Sequence, residues 1–366
     1  MNSEAIVQVP SRAQVIREHR QRGGKIAAVF PIHYPRALLE AFGLLPVEVW
    51  GPPSVATQEA DARLQPYTCG IVRHGLSFLL QGGLDAADFL MVPHGCDSLQ
   101  GLGSLLIDFV VPRQPVLTLY LPRGARAAGE DFLAGEIQAL FEKLRQLTGQ
   151  SPGASALHEA IEQEQQGIEL VRELFRRRRE LPLSDLALYR LIRAREYLPA
   201  AQFLPMGRRA LAQARPHARQ GLPIVLSGIL PEPMALLDGL SEAGGMVVGD
   251  DLVCVGRRLY RALDGSATNP FRRLARMLLS ASPDFSNGGP LEERLGAVCR
   301  LLEETGARGF IHLGMKFCEP EQFYLPALRQ ALNLRKIRAL FVEEELTGQL
   351  SHQLLTRIQA FLENLT

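Results

Sequence analysis

The sequence predicts an α/β protein of two parallel-sheet domains joined by a helical connector, with a cleft between the domains. Three observations carry that reading. Short apolar runs alternate with amphipathic helical stripes across 1–155 and again across 222–366, the pattern of doubly wound sheets. Residues 156–221 show helical periodicity and no strand pattern. At 366 residues the chain also exceeds the ~250–300 residues over which a single core keeps growing.

Residues 11–22 read as a polar helix and Lys25–Phe30 (KIAAVF) as the first strand. Pro35 suits the first turn of a helix carrying Leu38, Leu39 and Phe42 and ending at Gly43. The strand VEVW follows, in which Glu48 alternates with Val47 and Val49 and is given no role. After an irregular run, Val72, Leu76, Leu79 and Leu80 form a helical stripe behind Cys69. A strand from Phe89 to Val92 is broken by Pro93 and a polar turn holding Cys96. Asp97 or Ser98 is the expected cap of the next helix. The strand Pro115–Pro122 and a helix over Asp131–Thr148 close the first domain.

The connector carries stripes such as Ile161, Ile168, Leu170, Val171 and Leu174. Its run Arg176–Arg179 reads as a solvated helix end with cations at the C-terminus, in preference to a nucleic-acid contact. The second domain opens with IVLSG, a helix over Pro231–Ala243 and the strand MVVGDDLVC. An arginine-containing helical region (256–280), a helix over Leu291–Thr305 and the strand GFIHLG lead to Cys318. A helix over Glu321–Leu332, the strand IRALFV and a helix over Leu350–Leu365 complete it. No internal repeat is strong enough to mark the halves as duplicates.

Composition narrows the class of partner. The net charge is +1, with lysine only at Lys25, Lys143, Lys316 and Lys336 and no basic stripe. That argues against nucleic acid or an anionic membrane as the main partner. The first residues lack the basic start and apolar core of a signal peptide, and no apolar run approaches a ~18-residue span. Five cysteines form an odd, sparse set, so a reducing cytoplasm is expected rather than a disulfide framework.

There is no Walker A loop, GxSxG elbow, CxxC or HExxH. The fragment GLGS (101–104) lies inside an apolar helix and is read as permitting close packing. Cys69, Cys96 and Cys318 each stand where a strand gives way to a helix, at the carboxyl edge where open sheets bind ligands. Cys69 and Cys96 would line one wall of the cleft and Cys318 the other. Thiolates suit iron–sulfur clusters, zinc or copper; the competing reading is three unrelated buried cysteines. Three thiolates leave one corner of a cubane open to water, hydrosulfide or a substrate oxygen. Zinc with His74 or His94 as fourth ligand is the competitor, although His94 is read as supporting the site rather than ligating. Cys254, in GDDLVCVGRR, is a fourth ligand or a buried neighbour, with the neighbour preferred. Cys299 sits in a core stripe. His33 and Tyr34 face the same edge and are candidate substrate contacts, a structural role being the alternative.

Four phrases in order, FPIHYPRALLEAFGLLPVEVWG, YTCGIVRHGLSFLLQGGLDAADFLMVPHGCDS, GDDLVCVGRR and MKFCEPEQFYLPALRQAL, resemble the 2-hydroxyacyl-CoA dehydratase family. That family includes benzoyl-CoA reductase subunits and double-cubane cluster proteins, and the length here resembles its smaller, beta-type subunits. The resemblance implies two flavodoxin-like domains holding a [4Fe–4S] cluster in the interdomain cleft through Cys69, Cys96 and Cys318. It implies a related second subunit (or self-association), an ATP-dependent iron–sulfur activator and an acyl-CoA substrate. The implied activity is oxygen-sensitive: one low-potential electron on the thioester carbonyl gives a ketyl radical that expels hydroxide and acidifies the β-proton. The alternatives are a benzoyl-CoA-reductase-like or double-cubane-type reductase subunit and, from another class, a non-catalytic zinc-binding or scaffold partner.

Overall fold

The structure, a computed structural model, describes residues 7–123, 126–216, 218–261, 269–284 and 290–365. The first sheet comprises β1 (Lys25–Val29), β2 (Leu44–Glu48), β3 (Phe89–His94) and β4 (Val116–Tyr120), all parallel, in the order β2-β1-β3-β4. The second comprises β5 (Leu222–Gly228), β6 (Gly245–Leu252), β7 (Gly309–Met315) and β8 (Arg338–Glu344) in the order β6-β5-β7-β8, also parallel. Both sheets share the winding order of flavodoxin-like folds, with a switch point beside the first strand. The expected fold class is what the structure shows.

The helices run α1 (Arg12–Gln21), α2 (Arg36–Ala41), α3 (Gln58–Asp61), α4 (Gly70–Leu80), α5 (Asp97–Leu105), α6 (Arg126–Thr148) and α7 (Ala154–Arg176). They continue as α8 (Asp185–Arg193), α9 (Ala200–Leu211), α10 (Ala235–Glu242), α11 (Pro270–Leu279), α12 (Leu291–Thr305), α13 (Glu319–Leu334) and α14 (His352–Glu363).

Side-chain alternation decides which face each strand presents. Ile26 and Ala28 of β1 enter one core while Ala27 and Val29 enter another on the opposite face. In β5, Ile224 and Leu226 join the first core and Val225 a third. The first core is continuous from sheet to sheet and takes in Leu170, Val171 and Leu174 of α7 and Leu188, Leu191 and Ile192 of α8. The two sheets are therefore held together by apolar packing through the connector helices.

Several elements differ from expectation. β3 continues through Pro93 to His94: it pairs with β1 only as far as Met91 but with β4 to its end. Beyond Met91 the missing proline N–H has a free flank to face. α5 begins directly after Cys96, which is itself the N-cap in place of Asp97 or Ser98, and it runs on into a π-helical turn, Leu106–Val110. The second strand starts at Leu44 rather than Val47. Within 256–280 only a short 3₁₀ turn, Gly256–Arg258, and α11 are helical among the described residues. α11 packs on α6, and its Leu274, Ala275, Met277 and Leu278 complete the outer core of the first sheet.

Candidate metal centre

Cys69, Cys96 and Cys318 are the N-caps of α4, α5 and α13 respectively. Cys96 and Cys318 hold equivalent places, each in the turn after the strand beyond its sheet's switch point, β3 in one and β7 in the other. Each cysteine thus meets the unpaired N–H groups and positive end of a helix, which favours negative charge. Cys69 and Cys318 are buried and Cys96 is partly so.

The three thiols act on one another. Burial pushes the Cys96 thiol up to about 12, and negative charge on Cys69 adds to the rise. Burial raises the Cys318 thiol as well, reinforced by Cys69, Glu321 and Cys96. Burial also raises Cys69, opposed by the Val72 and Ile71 amides and by the Ser98 hydroxyl at the start of α5. A second contact brings the halves together here. A Cβ on Gly70 would lie 2.9 Å from the Leu346 Cβ just beyond β8, so only glycine allows this approach. Among the described residues no three His, Cys, Asp or Glu side chains close round a single ion. A cubane binds each thiolate to a different iron, so its ligands stand farther apart than those of one ion.

His94 ends β3, two residues before Cys96. It is buried, neither ring nitrogen has a hydrogen-bond partner, and burial lowers its pKa. Tyr120 packs edge-on against it at 4.5 Å. A Cβ on Gly103 would come within 2.5 Å of its Nε2, whereas Gly101 has open space. Close packing is thus the role of the second glycine of GLGS. His74 instead bonds through Nδ1 to the Val55 carbonyl at 2.9 Å.

Cys254 has a different neighbourhood. Burial raises its thiol well above the ordinary range, and its charged neighbours are Arg193, Asp250, Glu196 and Arg258 rather than another cysteine. Cys299 is buried on α12. His33 Nδ1 lies 3.1 Å from the Tyr260 hydroxyl and its Nε2 lies 3.8 Å from Asp284. Tyr34 donates to Glu48 at 2.9 Å and borders a small cavity of about 30 Å³, room for a water or two.

Sequence reasoning missed the ionic framework behind these turns. Glu48, given no role from the sequence, is buried and accepts from Arg258 through both oxygens at 2.6 and 2.7 Å, and from Trp50 Nε1 at 2.9 Å. Burial works to raise its pKa, but Arg258 prevails and holds it at about 2. This pair ties the end of β2 to the turn after β6, and so one sheet to the other. Behind Cys318, Glu321 takes two bonds from Arg257 at 2.6 and 3.0 Å and one from Tyr324 at 2.8 Å. Asp251 is gripped by Arg257 and Arg294 and accepts from Ser227 at 2.6 Å. The phrase GDDLVCVGRR is thus spent on structure: Asp251, Arg257 and Arg258 each bridge separate elements. A lone carboxylate within the apolar run VEVW was the available signal for Glu48.

Paired flavodoxin-like sheets with cysteine N-caps at their carboxyl edges define a class of protein built to present several thiols from two lobes. The model of the 2-hydroxyglutaryl-CoA dehydratase D-component family matches residues 31–365, and the chain belongs to that family. It is 24% identical to the (R)-phenyllactyl-CoA dehydratase beta subunit of Clostridium sporogenes, over 98% of this chain and 96% of the relative. It is 24% identical to the beta subunit of (R)-2-hydroxyglutaryl-CoA dehydratase from Acidaminococcus fermentans, over 96% and 95% of the two chains. A benzoyl-CoA reductase subunit from Thauera aromatica is 25% identical over 89% and 87%.

Proposed function

We propose that this chain is the beta-type subunit of a 2-hydroxyacyl-CoA dehydratase-type enzyme and that Cys69, Cys96 and Cys318 hold a [4Fe–4S] cluster. The observation that supports this most directly is the convergence of three cysteine N-caps, two from one sheet and one from the other, near enough to perturb one another. The donor set fits the group. Burial disfavours the thiolates, and a cationic iron–sulfur core would offset that cost, releasing protons on loading.

Bound there, such a cluster would supply single electrons of low potential, the means of activating a thioester whose β-proton is barely acidic. The chain's own part is placement and exclusion of water. α4, α5 and α13 direct their positive ends at the thiolates. Ile71, Leu99, Met315 and Leu346 share a core with the cysteines and keep the surroundings apolar. The Arg257–Glu321 pair anchors the first turn of α13 and with it the position of Cys318. The proposal includes a related second subunit, an ATP-dependent activator, an acyl-CoA substrate and a cytoplasmic setting; among the described residues no helix is long and apolar enough to cross a membrane. A second reading, a benzoyl-CoA-reductase-type subunit, is favoured by the similar identity to the Thauera relative.

Anaerobic purification tests the proposal. Brown protein with stoichiometric iron and sulfide is expected; Cys96→Ser loses most of the iron and Cys299→Ser keeps it. Colourless protein holding zinc, or equal iron in both variants, refutes the assignment. With partner and activator added, water loss from a 2-hydroxyacyl-CoA supports the first reading and ring reduction of an aryl-CoA the second.

A further inference from the structure

The run Arg176–Arg179 is not the uniformly solvated helix end that its composition suggests. α7 ends at Arg176, and Arg178, just beyond, is only 1% exposed. None of its three guanidinium nitrogens has a hydrogen-bond partner. The group lies over the rings of Phe175 at 4.6 Å and Tyr189 at 5.9 Å, and it also acts on the Tyr189 hydroxyl, which donates to Asp250. Its countercharge is Asp250, on which it acts without a direct ion pair, and stacking on two rings offsets a further part of the cost of burying the cation.

Arg178 borders a cavity of about 730 Å³ along β6, the outermost strand of the second sheet. Arg172, Arg176, Arg179, Arg261 and Arg300 border it too, from α7, the turn after β6 and α12. Arg172 donates to the Leu259 and Tyr260 carbonyls, Arg179 to the Thr305 carbonyl at 3.1 Å, and Arg176 pairs with Glu173. Among the described residues, Arg178, Arg179 and Arg300 make no ion pair, although Arg178 acts on Asp250 at longer range. The acids in the lining are largely committed. Asp250 accepts from the Leu252 and Gly256 amides at 2.9 and 2.8 Å and from Tyr189, and Asp251 is held by Arg257 and Arg294. Only Glu304 stands exposed on the rim.

We propose that this cleft binds the diphosphate of a nucleotide-sized polyanion, with Arg178 as its buried anchor and Arg179 and Arg300 closing on the phosphates from the rim. Arginine suits the role because its planar fork donates in pairs to phosphate oxygens. The volume lies in the range of small-molecule sites and exceeds what inorganic pyrophosphate needs, leaving room for an attached nucleoside. Coenzyme A and free adenine nucleotides share this chemistry. The coenzyme A source rests on the function proposed above; the phosphate site itself does not.

Calorimetric titration of the full-length chain, without iron, with pyrophosphate, ADP and coenzyme A tests it. Binding of all three is expected, with either nucleotide tighter than pyrophosphate and with affinity falling as salt rises. Coenzyme A tighter than ADP assigns the source to the thioester carrier; the reverse assigns it to free nucleotide. Arg178→Gln and the exposed Arg300→Ala should each weaken binding about tenfold or more, while Arg63→Ala on a remote surface leaves it unchanged. Arg300→Ala keeps the test decisive if Arg178→Gln fails to fold. No binding of any of the three at millimolar concentration, or affinities unchanged by Arg300→Ala, overturns the proposal. Because iron plays no part in this titration, its failure is distinct from failure of the cluster assignment.

Discussion

Glu48→Gln offers a direct test of how the two sheets are held in register. The carboxylate is buried and receives four hydrogen bonds, two of them from Arg258 on the far side of the domain boundary. The substitution keeps the shape but leaves the Arg258 guanidinium facing a neutral amide, and breaking a buried pair in this way costs about 3–5 kcal/mol. Titration gives an independent magnitude. Holding a glutamate at about 2 instead of its ordinary 4.5 corresponds to about 3 kcal/mol. Since the folded value is the lower one, the contribution is complete above the unfolded value and is lost as pH falls from 4.5 towards 2. At pH 3 the wild type should have lost about 2 kcal/mol that Glu48→Gln never had. Trp50, the only tryptophan in the chain, donates to this carboxylate, so its fluorescence reports on the pair itself. Urea midpoints followed by that signal at pH 6 and pH 3 are the assay. Identical pH dependence in the two proteins refutes the reasoning, as does a Glu48→Gln/Arg258→Met double variant that loses the full sum of the single losses.

Other consequences are open to measurement. The Cys96 thiol, pushed up to about 12 by burial and then by Cys69, should resist alkylation by iodoacetamide at pH 8 in the reduced, iron-free chain. Mass spectrometry should show its rate still climbing beyond pH 10, and a plateau near pH 9 would contradict the burial argument. Gly103→Ala drives a methyl group into His94 and should lower stability by about 1–3 kcal/mol. Gly101→Ala, with open space, should be neutral or stabilising by about 0.5–1 kcal/mol, and equal urea midpoints for the two would count against the packing described. Glu321→Gln leaves the Arg257 charge buried against one fewer anion and should cost about 3–5 kcal/mol. Arg257→Met/Glu321→Gln should recover part of that loss, and a strictly additive double variant would argue against coupling.

Much of the framework was legible in the chain. Strand and helix types follow from hydrophobic period, because a strand must bury every second residue and a helix one stripe; Ile26, Ala28, Ala27 and Val29 divide between two cores as alternation requires. The places of Cys96 and Cys318 between strand and helix follow equally from local pattern, whereas Cys69 follows the short helix α3 rather than a strand. Other features depended on contacts between residues far apart. Pro93 reads as a breaker until β3 is seen to outrun β1. α11 follows β6 in the chain yet packs against the first sheet, because its apolar stripe finds α6 there. Glu48 and Arg258, separated by 210 positions, carry no local signal of their pairing. Arg178 has the same side chain as its exposed neighbours, and only the fold decides that one guanidinium is buried with no hydrogen-bond partner. Local sequence governs backbone conformation and which face is apolar; electrostatic partnership and burial are properties of distance in space, and distance exists only once the sheets have docked.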